Sequence, residues 1–198
     1  MQPLFTIHAG EYLVGSYIEQ NLKFQADKVN VWVPSKDIGI DLLITDKTNK
    51  QTTSIQVKFS KDFLATDSNK QKYREQLKAC GWWKLKPAKI RESLADYWIL
   101  VLPSLKHGQV EYIIIPSEEL ANRLEALRET QSKALHSYLW VTESSKCWET
   151  RGLSQSNVGG LLPKDAPLSE EGIDYESRNF SEFLNKWEVL FSHWSNRF

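Results

Sequence analysis

Much that would mark a specialised environment is missing from this sequence. It has only two cysteines, Cys80 and Cys147, far apart and without a second Cys or a His at ligand spacing, which argues against a zinc centre and a disulfide framework and suits a reducing compartment. No apolar stretch approaches the roughly 20 residues of a membrane-crossing helix. Residues 1–6 also lack a basic stretch followed by an apolar one. We therefore expect a cytoplasmic protein with no membrane partner. Net charge is missing too: 25 Lys and Arg balance 25 Asp and Glu, so a globally basic surface, the simplest sign of nucleic-acid binding, is excluded. There is no internal repeat and no low-complexity segment.

What is present is enough material for one sizeable core. A chain of 198 residues, 41% hydrophobic and 12% aromatic, reads as a single domain over 1–198. The neutral total hides an uneven distribution. Between residues 70 and 91 lie Lys70, Lys72, Arg74, Lys78, Lys84, Lys86, Lys89 and Arg91 against Glu75 alone, whereas residues 165–188 are dominated by acids. A charged helix is often only a solvated one, so this segment points to a phosphate partner only in company with a site.

Hydrophobic spacing gives the elements. Residues 8–22 have helical periodicity, with Val14, Ile18 and Leu22 on one stripe. Strict alternation at 29–33 predicts a strand ended by Pro34, and two further strands are expected at 38–45 and 52–60 around the polar turn 46–50. The spacing then predicts a helix from Ser68 or Asn69 to Gly81, and a short one from Pro87 to near Ala95. The apolar run 97–102 reads as a buried central strand. Strands at 112–115 and 138–142 flank a helix opening at Ser117. Residues 154–174 look loop-like, and an amphipathic helix is expected at 181–194. Its stripe of Trp187, Leu190, Phe191 and Trp194 is most simply core, with a homodimer interface as the alternative.

The chemistry concentrates in the hairpin. If facing residue numbers sum to 97, Ile40, Leu42 and Ile44 share a core face with Val57, Ile55 and Thr53. Asp41 then lies across from Gln56 on the other face, and Lys58 across from Gly39. Glu11, on the stripe of Val14 and Ile18, turns a second carboxylate inward. A carboxylate so placed needs a hydrogen-bond partner or a cation, and one Mg²⁺ shared by Glu11 and Asp41 would satisfy both. Taken singly, each of these residues has an ordinary explanation in a turn, a strand face or a helix. Asp37, upstream of Asp41, belongs either to the metal's water shell or to the turn.

The stretch Gly10-Glu11-Tyr12, then Gly39-Ile40-Asp41-Leu42-Leu43-Ile44, then Ile55-Gln56-Val57-Lys58 resembles the core of the PD-(D/E)XK nuclease superfamily, which includes restriction endonucleases and archaeal Holliday-junction resolvases. The resemblance covers about the first half of the chain. It implies an α/β fold with a restriction-endonuclease-like core (helix, three-strand meander, helix, strand) over 1–103, and a C-terminal α+β extension over 104–198 packed on it. It further implies Mg²⁺ or Mn²⁺ held by Asp41, Gln56, the carbonyl of Val57 and Glu11, with Lys58 positioning the attacking water, and DNA as the substrate. Lys61, Lys70, Lys72, Arg74 and Lys78 become candidate phosphate contacts. Gln56 departs from the Glu or Asp that most members carry. Its amide oxygen still suits a hard cation but brings no charge, which is also a step toward a relative that binds nucleic acid without cutting it.

Overall fold

The computed structural model describes residues 4–21, 29–36, 38–66, 73, 75–104, 107–127, 134–162 and 172–194. Helix α1 (Leu4–Asn21) precedes strands β1 (Val29–Trp32), β2 (Leu42–Asp46) and β3 (Thr52–Phe59). A short α2 (Phe63–Thr66), β4 (Leu77–Leu85) and α3 (Pro87–Arg91) lead to β5 (Tyr97–Ser104) and β6 (Gln109–Pro116). Then come α4 (Ser117–Ala126), β7 (Leu135–Thr142), β8 (Cys147–Glu149), α5 (Gln155–Leu161) and α6 (Tyr175–Arg178). The chain is an α/β protein whose described residues form two sheets: a mixed five-stranded one in the order β1-β2-β3-β5-β6 and a three-stranded one in the order β4-β7-β8. In the larger sheet only β3 and β5 run parallel.

Both faces of the larger sheet are covered, which is why β5 reads as an unbroken apolar run. On one face Val14 and Ile18 of α1 meet Leu42, Ile44, Ile55, Val57, Ile99, Val101 and Ile114, together with Trp187, Leu190 and Trp194. The indole of Trp187 stacks on Tyr17 at 4.4 Å, and Trp194 Nε1 donates to Thr53 Oγ1 at 2.9 Å. The aromatic stripe near the C-terminus is thus core. On the other face Trp98, Leu100, Leu102, Ile113 and Ile115 meet the second sheet, α3 and α4. Leu22 of the expected α1 stripe lies outside the described residues.

From Leu42 to Thr45 the hairpin register is the one the alternation implies. The strand expected over 38–45 begins only at Leu42, so the expected backbone pairs of Gly39, Ile40 and Asp41 with Lys58, Val57 and Gln56 are not part of the ladder. Leu42 faces Ile55, Leu43 faces Ser54, Ile44 faces Thr53 and Thr45 faces Thr52.

Three expectations fail for identifiable reasons. Residues 77–85, expected to finish a helix at Gly81, form β4. There Leu77, Ala79, Gly81, Trp83 and Leu85 are buried at every second position, and this period of two outweighs the helix-ending reading of the glycine. Gly81 is needed for another reason: a Cβ there would stand 2.2 Å from the Trp83 ring. Residues 155–161, expected as loop, form α5. Ser154 accepts from the Asn157 N–H in a reciprocal cap, and Val158 and Leu161 are buried. The helix expected over 181–194 is instead two 3₁₀ turns, Ser181–Phe183 and Trp187–Phe191. Between them Leu184 bridges to Ile113. Asn185, at φ 55, accepts from Tyr112 N at 2.9 Å and donates to the buried Glu111 at 2.6 Å. These bonds to β6 displace the intrahelical ones. The start of the expected 68–81 helix, with Lys70, Lys72 and Arg74, lies outside the described residues.

Helix α1 sits close on β3 at one point. A Cβ on Gly10 would stand 3.0 Å from both Phe59 Cβ and Val57 Cγ1, so a side chain there must push the helix outward. We expect Gly10→Val to destabilise the fold by about 1–3 kcal/mol, the usual cost of overpacking, read from urea denaturation. An unchanged midpoint would contradict this close approach.

Candidate active site

Asp41 owes its aim to an irregularity. Its N–H donates to the carbonyl of Ile55 at 2.8 Å, although Ile55 already faces Leu42 in the ladder. Two residues of one strand opposite one of the other is the pattern of a β-bulge, which turns a side chain away from its regular direction. The regular ladder stops at Leu42, and the Asp41 carboxylate takes over as acceptor. Val57 N–H donates to Oδ2 at 2.6 Å, and Gln56 Nε2 donates to the same oxygen. Within a strand the N–H and C=O of one residue point to the same side, so the Val57 carbonyl shares the side on which its N–H meets Asp41.

Two oxygens at this point accept no hydrogen bond among the described residues: Asp41 Oδ1 and Gln56 Oε1. The second lies 3.7 Å from where a Cβ would stand on Gly39. Gly39, at φ +83, takes a conformation that favours glycine.

Glu11 lies mid-helix rather than at the helix start that its sequence position suggested. His8 Nδ1 is 2.8 Å from its Oε2, and this hydrogen bond raises the imidazole pKa. Glu11 is also near enough to act on Asp41. Burial pushes the Asp41 carboxyl above its usual range and the charge of Glu11 adds to this, while the Val57 N–H, Lys58 and Gln56 pull it back. A partly buried acid held up beside a second acid and a lysine is an arrangement common at functional sites.

Lys58 and Gln56 line the wall of a cavity of about 620 Å³, together with Gly39, Trp83, Trp98, Lys84, Lys86 and Lys89. Asp41 and Glu11 are not part of that lining. The Lys58 ammonium lies over the Trp98 ring, 5.5 Å from its centroid. Trp83 Nε1 donates to the Lys58 carbonyl at 3.2 Å. The first contact orients the ammonium, and the second holds the backbone that carries it.

The groups that could serve a metal here are all oxygens: the carboxylates of Asp41 and Glu11, the amide of Gln56 and the carbonyl of Val57. That chemistry fits Mg²⁺ or Mn²⁺. Among the described residues, however, no group of three or more His, Cys, Asp or Glu could hold a metal ion, and Asp41 and Glu11 are the two carboxylates described here.

The proposed phosphate contacts fare unevenly. Lys61 is exposed, while Lys78 pairs with the buried Glu111 at 3.9 Å instead of entering the cavity. Asp37 lies outside the described residues. The cavity wall was harder to foresee. Trp98 reaches it through the parallel pairing of Gln56 with Trp98, a long-range register that no local pattern announces. Lys84 and Trp83 reach it because 77–85 is a strand, which their alternation signals. Cys80 and Cys147 are both buried, and neither forms a disulfide.

No family model, curated protein or solved structure matches the chain. Among the described residues no helix is long and apolar enough to cross a membrane.

Proposed function

We propose that the chain is a Mg²⁺- or Mn²⁺-dependent endonuclease that hydrolyses phosphodiester bonds in DNA, on a restriction-endonuclease-like core. The observation that carries this reading is the meeting of Asp41 with Gln56 and Val57 at a bulge, with Lys58 beside them on the wall of a cationic cavity. Helix α1, the meander β1-β2-β3 and strand β5, which lies parallel beside β3, are compatible with that core, although strand β4 of the other sheet and the short α3 stand between β3 and β5 in chain order.

Asp41, Gln56, the Val57 carbonyl and Glu11 would hold the cation. Bound there, it would polarise a phosphoryl oxygen and make a coordinated water more acidic. Lys58 stands where an ammonium can orient the attacking water and offset the charge that develops on the phosphate. The hydrogen bonds to Asp41 Oδ2 leave Oδ1 for the metal and keep the carboxylate from swinging away. His8 fixes Glu11 in the same manner.

The test is incubation of the full chain with circular and linear DNA in Mg²⁺ or Mn²⁺. Metal-dependent nicks or breaks, blocked by EDTA, are the expected result. DNA binding with no cleavage in either metal would replace this reading with a catalytically silent nucleic-acid-binding module.

A further inference from the structure

The cavity beside Lys58 is larger and more apolar than a phosphate alone requires. Its volume of about 620 Å³ falls within the 300–1,000 Å³ or so of small-molecule sites. Trp83, Trp98 and Leu85 form apolar wall, and two apolar side chains remain in solvent at its edge, Leu94 at 66% exposure and Ile38 at 55%. Four lysines, Lys58, Lys84, Lys86 and Lys89, face a single acid, Glu92.

Aromatic and apolar walls ringed by cations suit a flat heteroaromatic base attached to phosphates, with the base against the indoles and the phosphates among the lysines. A stacked base cannot enter a concavity. It must first leave its duplex, at an energetic cost that a single strand does not incur.

We propose that this cavity holds one unpaired nucleotide of a DNA strand, so that the preferred substrate is single-stranded or splayed DNA rather than an intact duplex. The catalytic half of this inference rests on the nuclease reading. The binding half does not. Gln56 and Lys58 belong to both the cavity wall and the candidate active site, so a nucleotide seated here places a neighbouring phosphate of the same strand beside Asp41. Lys84, Lys86 and Lys89 are exposed and available to the flanking phosphates.

The experiment measures anisotropy of a labelled oligothymidylate, and of a blunt duplex of equal length, with the full chain in EDTA so that nothing is cut. The single strand is expected to bind at least roughly tenfold tighter, as stacking of one base allows. The double variant Lys86→Ala/Lys89→Ala, altered only at exposed positions, should lose most of that affinity. Its slope of log affinity against log salt should flatten by about 1.4, the share of two phosphate contacts on a single strand. Equal affinity for the two DNAs, an unaffected double variant, tighter binding of the RNA counterpart, or equal competition by polyglutamate would each overturn the proposal. Single-strand preference without metal-dependent cleavage would remove the nuclease reading and keep this one. Cleavage of blunt duplex with no preference in binding would do the reverse.

Discussion

Asp41→Asn should leave a protein that is more stable than the parent and unable to cut DNA. The carboxyl is held above its ordinary value near 3.8, first by burial and then by Glu11, so the folded protein takes up its proton more readily than the unfolded chain does. Its contribution to stability is therefore present below the ordinary value and is lost as pH rises through the raised one. At neutral pH the parent carries that loss and the amide does not. We expect the variant to melt higher than the parent at pH 7.5, with the gain shrinking as the pH falls toward 4. The substitution is close to isosteric, and its amide oxygen can still accept from Val57 N–H. Cleavage should fall at least ~100-fold, the order that losing even a group behind a metal ligand can cost. Lys58→Ala separates the two roles, since it should lose cleavage while the protein still binds metal. A variant at Asp41 that is less stable at pH 7.5 would indicate a structural carboxylate.

Gln56→Glu should make the stability of the fold depend on metal ions more steeply than the parent's does. Gln56 Nε2 now donates to Asp41 Oδ2, which partly compensates a carboxylate held beside Glu11. The substitution removes that donor and sets two carboxylates against each other, one of them at a position only 6% exposed. Without metal the fold should lose about 1–3 kcal/mol, the cost of leaving a buried polar group unsatisfied. A divalent cation then finds one more charged ligand, so its affinity should rise at least ~10-fold. At a free concentration one hundred times the dissociation constant, binding returns about 2.7 kcal/mol. Thermal melts of parent and variant across a Mg²⁺ series read both effects. If the variant is as stable as the parent without metal and unmoved by it, Gln56 and Asp41 do not share a cation site.

How much of this was legible in the sequence follows from the range of the interactions involved. The β2-β3 register could be read because alternation on both strands excludes a slip by one residue, and Leu42, Ile44, Ile55 and Val57 are buried on one face. The meeting of Asp41 with Gln56 was legible as a pair, whereas the bulge that produces it was not, since no local residue preference marks it. Residues 77–81 were expected to end a helix because Gly81 reads as a helix end, while the period-two burial of Leu77, Ala79, Trp83 and Leu85 was the stronger signal. The C-terminal segment failed for a different reason. Trp187, Leu190 and Trp194 do form a core stripe, yet Asn185 bonds to Tyr112 and Glu111 on β6 and breaks the helix. Partners some 73 residues away in the chain leave no periodic trace. The cationic cavity needed both sheets in place before Lys84, Lys86 and Lys89 could be set beside Lys58.

The central claim is that Asp41, Gln56 and Glu11 share one divalent cation. Calorimetric titration of the full chain with Mn²⁺, beside the Asp41→Asn variant, tests it most directly. The parent should take up one Mn²⁺ per chain and the variant none at the same concentrations, whereas equal binding by both, or by neither, would show that these residues do not share a cation.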